Sequence, residues 1–489
     1  MRRALTTILP CLLLLPFFWL LRARAAQPEL ARPQLFIAGK DITVVPESER
    51  SLNRLLIGLE PRAKDSPYCP QVTRAGLPAD EVRALDEHLY WVDLELVHGG
   101  LLRHLPPEAR LLVASPEPGA VKGDLGHERE FFEDWLKQRL GWSSSRIQRV
   151  VRFGKSPAEL EWSQDFSLAL GYDAQGRLVL AQGSEGDVPG YRLAVLAMAK
   201  AFPQDFTVWP LPRGVSAEGG DMSVATLPSG KPCLIIGRHR VLEYLRRTEQ
   251  AWPQAEGPSG EQVEQARQAY SQAYAGLPVI ILAEQALREP QAVSDELFHL
   301  DMYCACSWVD GKAWAFVPDL LPQAVDANSR APLPADLREK AAHEMDLAAE
   351  QMKSLGYQVA RLPLMDHPVR SPANLLRYRD SQNRAACILP TFPDHLPAGD
   401  PQALQNRIQD ALGRDRQALQ AWQAQPGAAS FHAAAAAVED SLGLLARSLE
   451  LPDHEADGQV RALKASGIQV HTLPCFVWGA GSLHCQTFH

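Results

Sequence analysis

From residue 109 to the C-terminus one order of elements keeps returning: a short apolar strand, a hairpin that opens on a polar motif, and a helix. Each such unit is too small to bury its apolar face alone, so recurrence constrains the fold more than composition does. One unit has a strand at 147–153, the run Trp162-Ser163-Gln164-Asp165, strands at 166–172 and 177–181 about the turn 173–176, and a helix near 190–201. The next has a strand at 206–211, Glu218-Gly219-Gly220-Asp221, a turn at 228–230 and a helix over 261–274. A third has a strand at 278–282, His299-Leu300-Asp301, the hairpin dipeptide Asp310-Gly311 and a helix over 334–354. A fourth has a strand at 358–362, Asn374 to Tyr378 and a turn at 380–383. The last has a strand at 468–473 and the turn Gly479-Ala480-Gly481-Ser482-Leu483-His484-Cys485-Gln486-Thr487, and there the chain stops. The strand at 111–114 and a helix at 126–140 would complete that unit from the front of the chain, closing a ring of five. The motifs hold equivalent places, so a ring would gather them on its axis.

Gathered together, Asp165, Glu218, His299, Asp301 and Cys485 are three carboxylates, an imidazole and a thiol. Facing carboxylates repel unless a cation lies between them. A planar guanidinium is the cation whose N–H groups match them in pairs. A thiolate can then attack the guanidinium carbon. A histidine can protonate the departing nitrogen and later activate water, and a carboxylate can orient that histidine. Each residue also has a plainer reading: Asp165 and Asp221 as turn residues, Cys485 as a buried thiol, Asn374 and Arg377 as structural groups. His299, Asp301, Cys304 and Cys306 are metal-ligand types. On a strand, however, the first two would share one face and the cysteines the other. No metal is expected.

Together the motifs resemble those of the guanidine-modifying enzymes of the pentein fold: arginine, agmatine and peptidylarginine deiminases, and amidinotransferases. Glu218-Gly-Gly-Asp221 resembles the arginine deiminase run that supplies the glutamate paired to the catalytic histidine. His299-Leu300-Asp301 resembles the family's His-x-Asp, and Gly479 to Thr487 its terminal turn with the nucleophile. Trp162-Ser163-Gln164-Asp165 is similar to the Trp-x-Gln-Asp of the peptidylarginine enzymes, whereas the free-arginine and agmatine enzymes usually carry an arginine before that aspartate. Ala480 stands where the deiminase turn often has glycine. The resemblance implies an α/β propeller of five ββαβ units over 109–489, with a helix-prone insertion near 402–455 and an N-terminal extension at 27–108. It implies Cys485 as nucleophile, His299 as acid and base, Glu218 orienting it, and Asp165 and Asp301 holding the guanidinium. The first reading is deimination of peptidylarginine to peptidylcitrulline. The alternatives are a deiminase for free arginine or agmatine, an amidinotransferase, or a non-catalytic binding protein on the same fold. No cofactor is implied. Calcium serves part of the family, but no pattern here supports a site for it.

The expected partner is an arginine-containing peptide or protein, or a small guanidine. A formal net charge of −9 without a basic run argues against nucleic acid. Arg2 and Arg3, the apolar run 8–21 and Ala23-Arg24-Ala25 read as a signal peptide over residues 1–26. The expectation is therefore a secreted or periplasmic protein; an uncleaved anchor, the other reading, would be its one tie to a membrane. Without Cys11 and Cys485, six cysteines remain: Cys69, Cys233, Cys304, Cys306, Cys387 and Cys475. An oxidising compartment would let some of them pair.

Overall fold

The computed structural model describes residues 34–37, 40–58, 101, 105–106, 109–116, 146–153, 164, 167–183, 189–295, 297, 299–325, 331–391, 417, 421, 424, 453–474 and 487–488. Among these residues the strands form five sheets. Three share one plan: β9 (Met222–Thr226), β10 (Pro232–Ile236) and β11 (Val279–Ile281); β12 (Ala305–Val309), β13 (Lys312–Leu320) and β14 (Gln358–Leu364); β15 (Leu376–Arg379), β16 (Ala385–Thr391) and β17 (Gln469–Pro474). In each, two strands make an antiparallel hairpin and the third lies parallel to the second.

A fourth sheet contains the same arrangement in β6 (Ala169–Asp173), β7 (Leu178–Gln182) and β8 (Phe206–Pro210). It is extended on the β6 side by β2 (Lys40–Val44) and β1 (Gln34–Ile37). The fifth is ordered β18 (Thr487–Phe488), β3 (Arg54–Gly58), β4 (Arg110–Pro116), β5 (Ile147–Phe153). It joins strands from both ends of the chain, but the strand expected at 111–114 (β4) pairs with β3 and β5, and the C-terminal β18 pairs with β3. Residues 34–58, within the stretch set apart as an extension, thus supply strands to two of the sheets.

Parallel neighbours need a crossover connection, and helices provide it. These are α1 (Pro189–Ala201), α2 (Arg238–Arg247) and α3 (Gly260–Ala273), α4 (Ala335–Ser354) and α5 (Asp453–Ala465). In α4, Ala341, Glu344, Met345, Ala348, Ala349 and Met352 are buried. That spacing of three and four puts one stripe on the sheet. Ser259 and Gln262 cap α3 reciprocally, each side chain taking the other's backbone N–H. The tight turn between β12 and β13 has Asp310 and Gly311 both at positive φ, 48° and 78°, which a two-residue hairpin of this hand requires.

Residues 45–51 connect the sheets. The 3-10 turn Glu47–Glu49 packs against β9, β12 and β15. Arg377 of β15 donates to Glu47 Oε2 at 2.5 Å and to the Cys306 carbonyl at 2.8 Å. Arg50 donates to the Ala169 carbonyl, and Thr226 to Glu49. One short segment therefore reaches four sheets before running into β3, in the fifth.

Two expectations are corrected. His299 to Asp301 is not the start of a strand: Leu300–Met302 is a 3-10 turn with His299 at its N-cap, and the strand begins at Ala305. The turn closes because Met302 N–H bonds the His299 carbonyl, and Asp301 N–H is drawn to the Gly220 carbonyl of the neighbouring unit. The face-sharing argument for His299 and Asp301 therefore does not apply. Helix α2 has no counterpart among the expected elements. The helix expected at 126–140, the insertion near 402–455 apart from isolated positions and the start of α5, and residues 1–26 lie outside the described residues.

Candidate active site

The Glu218-Gly219-Gly220-Asp221 run is a junction. A Cβ on Gly219 would lie 2.4 Å from the carbonyl oxygens of Gln164 and Ser167, so no side chain fits there. Gln164 Nε2 donates to the Gly219 carbonyl at 3.4 Å. On its other side, the Gly220 carbonyl accepts Asp301 N–H at 3.3 Å. These contacts bring Gln164, the Gly219-Gly220 pair and Asp301 together.

On this frame His299 Nε2 meets Glu218 Oε1 at 2.8 Å. Glu218 Oε2 accepts from Arg240 Nη1 at 2.6 Å, and Ser216 Oγ accepts from the same nitrogen at 3.0 Å. Arg240 Nε donates to Asp221 Oδ2 at 2.8 Å, and Glu243 Oε2 lies 2.6 Å from Nη1. One buried guanidinium thus serves three carboxylates. Asp301 is buried at 4% exposure, two residues along from His299.

The charges follow from this arrangement. Burial opposes ionisation of Glu218, but Arg240 and His299 outweigh it and hold the carboxyl down at about 2. Glu218 is therefore an anion at any physiological pH, the form that stabilises a cationic imidazole. Asp221 goes the other way: burial lifts it to about 7, against the pull of Arg240 and His299. His239, on the first turn of α2, is lowered to about 3 by burial and by Arg238, Arg240 and His299, and is neutral. Arg240 and His239 were not singled out from the sequence. The available sign was an arginine at the start of an amphipathic stretch following the Gly-Gly-Asp hairpin.

Asp165 and Cys485 lie outside the described residues. Strand β18 starts two residues beyond Cys485 and pairs Thr487 with Ile57. Cys233, Cys304, Cys306 and Cys387 are free buried thiols, so the pairing expected in an oxidising compartment does not involve them. Burial pushes Cys233 and Cys387 up to about 12, and such thiols are protonated and inert. Cys304 and Cys306 sulfurs lie 3.9 Å apart. Among the described residues no group of three or more His, Cys, Asp or Glu could hold a metal ion, and no helix is long and apolar enough to cross a membrane.

No protein-family model matches the chain, and no curated protein matches it. Among solved structures it is similar to agmatine deiminase from C. jejuni, at 13% identity and a TM-score of 0.45, over 93% of this chain and 98% of that one. It is also similar to a cysteine-to-serine variant of C. jejuni agmatine deiminase with substrate bound, at 12% identity and a TM-score of 0.44, with the same coverage.

Proposed function

We propose that the chain is a cysteine-dependent guanidine deiminase. The observation that carries this reading is the 2.8 Å contact between His299 and a Glu218 held anionic by Arg240, with Asp301 docked beside it. An imidazole kept against a permanent carboxylate is equipped to carry a proton to a leaving nitrogen. The reading includes closure of the five sheets into a ring. Four sheets with one ββαβ order, and a fifth joining both chain ends, support it. On the axis of such a ring Asp165 and Cys485 join the His299–Glu218 pair.

In this mechanism Asp165 and Asp301 grip the guanidinium from two sides. The Cys485 thiolate bonds to the guanidinium carbon. His299 gives its proton to the departing nitrogen, the C–N bond breaks, and ammonia leaves a covalent thiouronium. Neutral His299 then takes a proton from water as the water oxygen bonds to the same carbon. The C–S bond breaks, releasing a ureido product and the thiolate. Glu218 stabilises the imidazolium at both ends of the cycle.

Two substrate scopes fit this chemistry. Trp162-Ser163-Gln164-Asp165 is the ground for peptidylarginine. A small free guanidine of the agmatine type is the substrate named for the similar structures. The test is release of ammonia and ureido product from agmatine, free arginine and a blocked arginine peptide side by side. Turnover of one of them that is lost in Cys485→Ala supports the reading, and the preferred compound sets the scope. No ammonia from any of the three overturns it.

A further inference from the structure

Helix α2 begins with a second buried arginine, which the reaction above leaves unused. Arg238 aims two donors at two partners: its Nε donates to Glu344 Oε1 of α4 at 2.7 Å, and its Nη2 to the Ser294 carbonyl at 2.6 Å. Glu344, fully buried, also takes the Ser294 N–H. One buried Arg–Glu pair therefore holds both backbone groups of Ser294.

Ser294 lies on the connection that leads from β11 to His299, and α4 holds this connection along its length. Gln351 accepts the Ala283 N–H at 2.7 Å and donates to the Ile281 carbonyl at 2.9 Å, and His343 meets Glu289 at 3.1 Å. Ser294 is held five residues before His299. Two residues after His299, the Asp301 N–H is taken by the Gly220 carbonyl at 3.3 Å. His299 thus stands between two backbone anchors, and the unit that carries Glu218 supplies a group to each, Arg238 to one and Gly220 to the other. Two residues on from Arg238, Arg240 holds Glu218 itself. The first turn of α2 reaches both members of the pair: Glu218 through its carboxylate, His299 through the chain ahead of it. Glu218 has a matching anchor. Two residues before it, the Ser216 N–H donates to the Tyr270 hydroxyl at 3.3 Å, and the Ser216 carbonyl accepts from the Tyr274 hydroxyl at 2.7 Å.

A buried Arg–Glu pair adds little stability over apolar side chains of the same volume. An apolar pair, however, could not take a backbone N–H and a backbone carbonyl together and so fix the direction of the chain. We propose that the Arg238–Glu344 pair is a clasp on Ser294 that sets His299 against Glu218, which makes Arg238 a positioning residue for the acid–base step. The placement stands on these contacts alone. Its catalytic meaning rests on the deiminase reading.

The two parts are tested separately. Arg238→Lys keeps the charge but cannot supply donors at both the Nε and the Nη2 positions. Placement is read without turnover, from the rate at which diethyl pyrocarbonate modifies His299, followed by peptide mass spectrometry with His471 of β17 as the internal reference. Loss of the clasp should speed modification of His299 about 3- to 10-fold, as a local opening does, and leave His471 unchanged. An unchanged rate at His299, or equal acceleration at both histidines, overturns the clasp. The catalytic role is read from the folded fraction: kcat on whichever guanidine is turned over should fall about 10-fold or more with KM unchanged, since a small misplacement of a reacting group carries that cost. A wild-type kcat, or a loss confined to KM, overturns that role and leaves the deiminase reading standing. If Arg238→Lys does not fold, Glu344→Gln, which keeps the size and an acceptor oxygen but gives up the charge, takes its place with the same readouts. If the wild type turns over no guanidine, the deiminase reading and the catalytic role fail together, and the modification rates still decide the clasp.

Discussion

His299 Nε2 and Glu218 Oε1 are 2.8 Å apart although 81 residues separate them in the chain. Two backbone contacts produce this meeting. Gly219 lets the chain ahead of β9 press on the carbonyls of Gln164 and Ser167, and the Gly220 carbonyl takes Asp301 N–H. Arg240 then fixes the carboxylate from behind. The pair is positioned by the frame, and Arg240 and His299 together hold Glu218 anionic.

Glu218→Gln tests the pair directly. The amide keeps the size and an acceptor oxygen but loses the charge that stabilises imidazolium. Turnover should fall by about 10²-fold or more, in the range of general acid–base contributions, while substrate binding is largely kept. The measurement is kcat and KM on the active guanidine, with far-UV circular dichroism to confirm the fold. Wild-type kcat in this variant would take His299 out of the proton-transfer role.

Asp221 and Glu218 titrate in opposite senses, and stability should record both. Glu218 falls from 4.5 unfolded to about 2 folded. Its stabilisation is present above pH 4.5 and is lost as pH drops towards 2. Asp221 rises from 3.8 unfolded to about 7 folded. Between those values the unfolded chain ionises it while the folded protein keeps the proton, so its contribution falls as pH rises from about 4 to 7. Asp221→Asn, which resembles the protonated acid, should therefore gain on wild type through that window and hold a constant advantage above it. Chemical denaturation at pH 4, 5.5, 7 and 8 measures this. A wild-type-minus-variant difference that does not change with pH would mean that Asp221 is ionised throughout.

The buried Arg377–Glu47 pair joins the segment at 45–51 to β15. Arg377→Ala leaves the Glu47 carboxylate buried without that cation, which typically costs about 3–5 kcal/mol. Arg377→Met fills the volume and removes the same charge. Glu47→Gln combined with Arg377→Met removes both charges and should recover part of the loss. Denaturant midpoints of the three variants decide it. A single variant as stable as wild type would show that the pair does not hold the sheets at this point.

What the sequence made legible follows the local signals. Asp310-Gly311 marked its hairpin because few dipeptides tolerate two positive φ angles. The apolar spacing of α4 marked a helix because one face is buried over twenty residues. The Glu218 and His299 motifs stand out in the sequence, and their side chains are in contact. Helix α2 was not legible. Its ten residues carry four arginines, and its buried set includes Arg238 and Arg240 beside Val241 and Leu245, so charge hid the apolar stripe. Arg240 was missed with it, because its role depends on three carboxylates, two from the 218–221 run and one from its own helix. The 299–301 turn is not visible in the sequence, because a pull from Gly220, in another unit, leaves no trace in local alternation.

The carboxylates that would grip the substrate give the test most particular to guanidine chemistry. Asp301 is buried, and Asp165 is assigned by its motif alone. If both face the same guanidinium, the cation relieves their mutual repulsion when it binds. Affinity should then collapse for a neutral isostere. Citrulline has the shape of arginine without the charge and should inhibit only at concentrations far above those at which arginine binds. Asp301→Asn and Asp165→Asn keep the size but turn an N–H₂ towards the substrate's N–H₂. Leaving a buried charge pair short of one partner costs about 2–5 kcal/mol, or roughly 30- to several-thousand-fold in kcat/KM. A plain structural role would instead lower stability and leave kcat/KM of the folded fraction unchanged, so melting curves must accompany the kinetics. Charge is the variable that separates this site from any other cysteine–histidine pair. If either variant retains wild-type kcat/KM, or citrulline binds as tightly as arginine, guanidinium recognition is lost from the reading and the His299–Glu218 pair serves some other electrophile.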